Sequence, residues 1–407
     1  MGVQTRGERM LALRRARTAA SRAFLRGGFR PFFLGAAAWA VVALVLWLTA
    51  LAGGTTLPTL FDPLAWHRHE MLFGFVGAAI AGFLLTAIPN WTGRLPIAGP
   101  PLAGLFGLWL AARLAVLFSA RSGALAAALL DVGFYVLLAA LAGREVLAAK
   151  NRNLPIVGLL LLLGAANAAD HAGAAGFLAD PEIGARAAIA LVLLMISLIG
   201  GRIIPSFTRN WLAKQGPAER LPTQPDRFDL SVIALTTFAL LGWLASPEAQ
   251  TTGLLLLGAG LAQSARLARW RGLRTMPDPL VFILHVGYFW VPLGLLLLGG
   301  SSLGTAVPRS AAVHALTAGA MGTMILAVMT RATLGHTGRE LRAGAGTIAL
   351  YALVTGGAVL RVAAALGLVG YPLGMKLSAL AWGGAFLLFL AVYGPILLRP
   401  RPGEPAG

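Results

Sequence analysis

The chain has 407 residues and a formal charge of +18, yet it is 57% hydrophobic and only 12% charged, with a mean hydropathy of +0.77. Soluble domains carry about a quarter charged residues, so this composition excludes a water-soluble enzyme. Cysteine is absent, which excludes disulfides, thiolate iron–sulfur clusters, a thiolate copper centre and covalently attached c-type haem.

Residues 1–27 are arginine-rich and read as a basic segment, cytoplasmic or interfacial, lying on anionic lipid. Twelve apolar runs long enough to cross about 30 Å of hydrocarbon follow, near 31–51, 63–89, 101–118, 124–147, 154–170, 186–207, 229–246, 252–270, 279–299, 311–334, 346–368 and 373–398. A short tail over 401–407 closes the chain. With the N-terminus placed inside, only Arg68, Arg121, Arg186, Arg309 and Lys376 fall on the outer side. Arg113 and Arg361 fall within spans, and every other Lys and Arg lies on the inner side, as the positive-inside rule requires. The basic charge therefore serves topology, and a nucleic-acid partner is excluded. The expected fold is all-α: a polytopic protein of the bacterial inner membrane with both termini cytoplasmic.

The second and tenth spans repeat one phrase. Residues 69–94 read HEMLFGFVGAAIAGFLLTAIPNWTGR and residues 314–339 read HALTAGAMGTMILAVMTRATLGHTGR. Both begin with His and end with Thr-Gly-Arg; Gly74 and Gly77 fall opposite Gly319 and Gly322. Pro31, Pro155 and Pro279, spaced by 124 residues, each begin an odd-numbered span. Asn210-Trp211 matches Asn90-Trp91, which sets Ile189 where His69 stands. The pattern predicts one twelve-helix membrane domain over 28–400, built of three four-helix units at 28–150, 153–275 and 277–400. The paired glycines, with Gly82, allow close helix approach or room beside a flat macrocycle.

The six histidines are the strong metal-ligand candidates. Asp62-Pro63 reads as a cap and first helical residue, which sets His69 roughly 9 Å inside the outer face. Ser310 is the expected cap of the tenth span, placing His314 about one turn in on the same side. His67 and His171 are also outer, although His67 and His69, two positions apart, face opposite ways. His285 lies toward the inner side of the ninth span, and His336 at the inner surface. Ionisable groups inside a membrane span are functional candidates by default. His69 and His314, at equivalent places, could grip a haem iron between them, with Arg68 and Arg309 near enough for its propionates. Asp170 could orient the His171 ring. The acidic residues within the spans, Glu70, Asp131 and Asp170, provide a sparse proton path.

WHRHEMLFGF (66–75), PNWTGR (89–94), GGRIIPSFTRNW (200–211) and GAMGTMILAVMTRATLGHTGR (319–339) resemble the NnrS family over nearly the whole chain. The resemblance implies a membrane protein that binds haem and copper and acts in nitric-oxide metabolism or nitrosative-stress protection. The architecture also resembles the haem-copper oxidase catalytic subunit, which implies haem b held by histidines of the second and tenth helices, matching His69 and His314. The departures are clear: no histidine stands on the sixth or seventh span, and the tenth lacks the paired His-x-His, so the oxidase copper triad is missing. Copper or a second haem would need other residues, with His67, His171, His285 and His336 as candidates. Nitric oxide is the expected small-molecule ligand, reached through the lipid bilayer, and a nitric-oxide-processing oxidoreductase would also need an electron donor. The alternatives are a transporter of a metal, haem or iron–nitrosyl species, and a haem-based sensor or metal-loading factor.

Overall fold

The protein is represented by a computed structural model that describes residues 21–216 and 221–404. The arginine-rich leader lies outside the described residues as far as residue 20, and the tail is described only to Glu404. Twelve long helices follow in chain order: α1 (Phe29–Leu51), α2 (Pro63–Thr92), α3 (Pro100–Leu117), α4 (Ala124–Ala148), α5 (Leu154–Ala174), α6 (Ile183–Leu212), α7 (Arg227–Ala245), α8 (Gln250–Arg269), α9 (Pro279–Ser302), α10 (Arg309–His336), α11 (Ala345–Ala365) and α12 (Tyr371–Leu398). Among the described residues every regular element is helical, as a chain in lipid must satisfy its backbone within each span.

Eleven of the helices are long and apolar enough to cross a membrane, one fewer than the sequence reading. The exception is α8, a 20-residue helix whose last two turns carry Gln263, Ser264, Arg266 and Arg269. Arg266 is buried there and binds Asp229 Oδ1 through Nε at 2.7 Å.

Helix starts follow local chemistry. The Asp62 carboxylate accepts from Leu64 N and Ala65 N ahead of Pro63, and Asp278 caps α9 ahead of Pro279. The expected Ser310 cap is absent: α10 begins at Arg309 with no side-chain cap, and the Ser310 carbonyl instead bonds the His314 ring. Arg30 donates to the carbonyls of Leu397 and Arg399 at the end of α12, at 2.7 and 2.6 Å, and so satisfies acceptors that the helix end leaves open. Arg26 pairs with Glu404 at 3.1 Å.

The chain divides into two compact units. One comprises the described residues of Met1–Ala188, Ala332–Glu340 and Leu390–Gly407; the other comprises those of Ile189–Arg331 and Leu341–Phe389.

The repeated phrase has a counterpart in three dimensions. α2 and α10 each widen into a π-helical stretch, Glu70–Phe75 and Ala315–Met321, starting at the residue after the matched histidine. α6 contains a third, Ile196–Gly200. Such insertions leave backbone groups to be satisfied from outside the helix. In the first unit Tyr135 Oη donates to Phe73 O at 2.7 Å. In the second, Trp382 Nε1 donates to the equivalent Ala318 O at 3.3 Å. The glycines make these contacts possible. A Cβ on Gly77 would run into Tyr135 Oη, and one on Gly322 would lie 2.7 Å from Trp382 Nε1. Trp39 fills the space beside Gly74, Phe33 that beside Gly82, and Trp290 that beside Gly319. Close packing accounts for these small residues.

A close approach in the first unit yields a stability test. A Cβ on Gly184 would run into the backbone of Asp170, whereas one on Gly104 meets nothing within 4 Å. Gly184→Ala is expected to destabilise by about 1–3 kcal/mol, as overpacking does. Gly104→Ala should be neutral or stabilise by up to about 1 kcal/mol. Thermal unfolding in detergent measures both, and equal effects would contradict the packing.

Candidate metal centre

Within the first unit, α2, α3, α4 and α5 turn their few charged residues toward one another. Glu70, Asp131, Asp170, Arg113 and His69 are all at most 1% exposed, and His171 is 8% exposed. Charges inside hydrocarbon are tolerated only when paired, so the lipid setting drives these side chains inward.

Asp131 is the hub. Its Oδ2 lies 2.8 Å from His69 Nε2, 3.2 Å from His171 Nε2 and 2.8 Å from Asn167 Nδ2. Its Oδ1 accepts from Arg113 Nη2. The other arm of the Arg113 fork reaches Glu70 Oε2 at 2.7 Å, where Trp39 Nε1 also donates. His69 Nδ1 lies 2.8 Å from Asp170 Oδ2. Two carboxylate acceptors need two donors, so the His69 ring carries both N–H groups. Arg68 reaches Asp170 Oδ1 at 3.7 Å and Glu182 Oε1 at 3.0 Å.

Two histidine nitrogens and one carboxylate oxygen thus face a common point. The donor atoms of His69, Asp131 and His171 all lie within 4.8 Å of one another, and all three residues are buried. Bonds of about 2.0–2.2 Å place tetrahedral donors roughly 3.3–3.5 Å apart, so small side-chain adjustments would close this set on an ion. Charge agrees: once the His69 proton is displaced, three buried carboxylates face one buried guanidinium, with Arg68 at the edge on Asp170, and a cation restores the balance. A cation at His69 Nε2 would take the place of the proton there, while Asp170 keeps Nδ1–H oriented. Phe61 lies against both rings, 4.8 Å from His69 and 5.4 Å from His171, and Phe73 lies 5.0 Å from His69. The site is walled by hydrocarbon.

The other sequence candidates go elsewhere. His67 stacks on Trp47, with ring centroids 3.9 Å apart, so the centre joins His171 to His69 and not to His67. His285 bonds Thr208 Oγ1 at 2.8 Å. His314 Nδ1 lies 2.7 Å from Ser310 O, and His336 lies against Phe29. Arg309 lines a cleft with Glu248, Gln250 and Trp243. Asp170 was expected to orient His171; it binds His69 instead, because on α5 neighbouring residues point about 100° apart. Asp131, Arg113 and Asn167 were not singled out as site residues. For the first two, a charge inside a span was the available signal.

A family model described as NnrS protein matches residues 23–401. The chain belongs to the NnrS family. No curated protein matches it. NnrS membership links this chain to the nitric-oxide response, and the buried His–Asp–His set is where an ion could act within it.

The energetic weight of the hub is measurable. Arg113→Met would strand two buried carboxylates, an expected loss of about 3–5 kcal/mol. Arg144→Met removes an exposed guanidinium from Glu145, which Arg94 still pairs, and should cost under about 1 kcal/mol. Calorimetric unfolding in detergent compares them, and similar losses would show that Arg113 is not paired as described.

Proposed function

We propose that this chain is a metal-dependent protein of the bacterial inner membrane, with cytoplasmic termini, acting in nitric-oxide metabolism or nitrosative-stress protection. The observation that carries this reading is the convergence of two imidazoles and one carboxylate oxygen among buried residues. Family membership supplies the link to nitric oxide.

The donor chemistry suits copper: imidazole and carboxylate without thiolate. A redox-active ion held by His69, Asp131 and His171 would supply a binding position for nitric oxide and an electron to exchange with it. The chain's own groups set the terms. Arg113 occupies Asp131 Oδ1, so that carboxylate offers only Oδ2, and His69, Asp131 and His171 would supply three donors to an ion, one short of a closed protein site. Asp170 fixes the His69 ring, and Phe61 and Phe73 exclude water while admitting a small apolar gas from the bilayer.

A second reading is haem b held by His69 and His314, with Arg68 and Arg309 toward its propionates; the likeness to the haem-copper oxidase subunit belongs with it. Its support is His314, whose Nδ1 is engaged by a carbonyl, leaving Nε2 as a lone pair for a metal. Against it, His69 would have to give up one carboxylate bond, and bulky side chains fill the spaces beside the α2 glycines.

Metal stoichiometry and visible spectra of the purified full-length chain test both. The ion reading expects one copper, or one cobalt after exchange, per chain. His171→Ala and Asp131→Asn should each lower its affinity at least tenfold while helix content by circular dichroism holds. Unchanged affinity in both variants would overturn it. A Soret band lost in His69→Ala and in His314→Ala would establish the haem reading.

A further inference from the structure

We infer that the second unit contains a binding site for an oxyanion, centred on Arg361 and flanked by His314, that takes the headgroup of a membrane-dissolved amphiphile. The inference is independent of the metal centre and starts from a cation inside a span. Arg361 stands on α11, four residues before its end at Ala365. Its Nη1 is buried and has no acceptor among the described residues. The ring of Tyr371 lies 5.6 Å from the guanidinium carbon, a contact that supports a cation without neutralising it. α11 packs against the first turns of α10, which carry His314. The His314 ring does not supply the missing anion. Its Nδ1 faces a carbonyl, which only accepts, so Nδ1 carries the hydrogen and Nε2 a lone pair.

The internal repeat shows what is missing. On the 248-residue spacing from Pro31 to Pro279, Arg361 falls opposite Arg113 on α3, which in the first unit is held by Glu70 and Asp131. Glu70 opens the π stretch of α2; the residue that opens the π stretch of α10 is Ala315. Asp131 stands one turn before Tyr135, which bonds Phe73 O. One turn before Trp382, which bonds the equivalent Ala318 O, stands Ser378. Ser378 faces α11, since its hydroxyl donates to Gly357 O at 2.8 Å, one turn from Arg361. The second unit has kept the arginine and the histidine and replaced both carboxylates by Ala and Ser.

Arg361 is half-buried, and its enclosed Nη1, left without an acceptor inside a span, is costly, a cost that a charge from outside the chain would offset. Arg361 lies about one helical turn inside its span, a depth reached by a lipid headgroup or by the carboxylate of a lipid-soluble ligand. Carboxylate and phosphate both match the guanidinium fork. His314 Nε2 would accept a hydroxyl of that ligand or ligate a metal it carries.

Native mass spectrometry of the detergent-solubilised full-length chain tests the site. One amphiphile per chain is expected to remain bound, and its mass separates the two sources, a phospholipid or a carboxylated macrocycle of the haem type. Arg361→Gln should reduce occupancy at least tenfold, and Arg361→Lys should retain part of it. Ser378→Asp, which restores the carboxylate of the first unit, should expel the ligand although Arg361 is intact. It also serves as the test if Arg361→Gln does not fold. No retained amphiphile in the native chain, or full occupancy in both Arg361→Gln and Ser378→Asp, would overturn the assignment.

Discussion

The first unit depends on one buried carboxylate. Asp131 gathers groups from three other helices: His69 from α2, Arg113 from α3, and Asn167 and His171 from α5. In water such a set would be held weakly, because each member could be solvated separately. Inside hydrocarbon none has that alternative, so the charge on Asp131 fixes how the four helices are rotated about their axes. Neighbouring details then follow. Glu70 is drawn in as the second anchor for Arg113, Trp39 closes on it, and the glycines leave space for these bulky partners.

The same frame supports different chemistry in the second unit. Trp382 stands where Tyr135 does, Trp290 lies against Gly319 as Trp39 does against Gly74, and the π stretch again follows the histidine. The acids, however, are present in one copy and absent in the other. A duplicated scaffold with unequal charge gives an acid-rich centre in one unit and, at the corresponding place in the other, an arginine without those acids. Packing is thus repeated where function is not.

Much of this was legible in the sequence. Lipid-spanning runs announce themselves by length, and their ends agree with the helices within a few residues, as at α2 and α9 where Asp-Pro pairs cap and start the span. The matched phrases in α2 and α10 fall on helices that both widen into a π stretch after the matched histidine, a widening that the sequence did not announce. The partners inside the bundle were harder. A soluble helix shows its buried face by hydrophobic contrast, whereas a helix in lipid is apolar all round, so nothing in the spacing of α4 says that Asp131 faces His69. Asp170 was assigned to the adjacent histidine because proximity in sequence was the cue at hand; the α2–α5 contact decides otherwise. α8, expected as a span over 252–270, is less apolar than the other eleven because its last turns hold the buried Arg266–Asp229 pair.

The claim on which the functional account rests is that His69, Asp131 and His171 share one ion. X-ray absorption at the metal edge of the purified, copper-loaded chain examines that most directly. The account predicts imidazole scattering from two histidines together with an oxygen at about 2.0–2.2 Å, with the imidazole contribution halved in His171→Ala. A spectrum with no imidazole scattering, or one unaltered by that substitution, would contradict it.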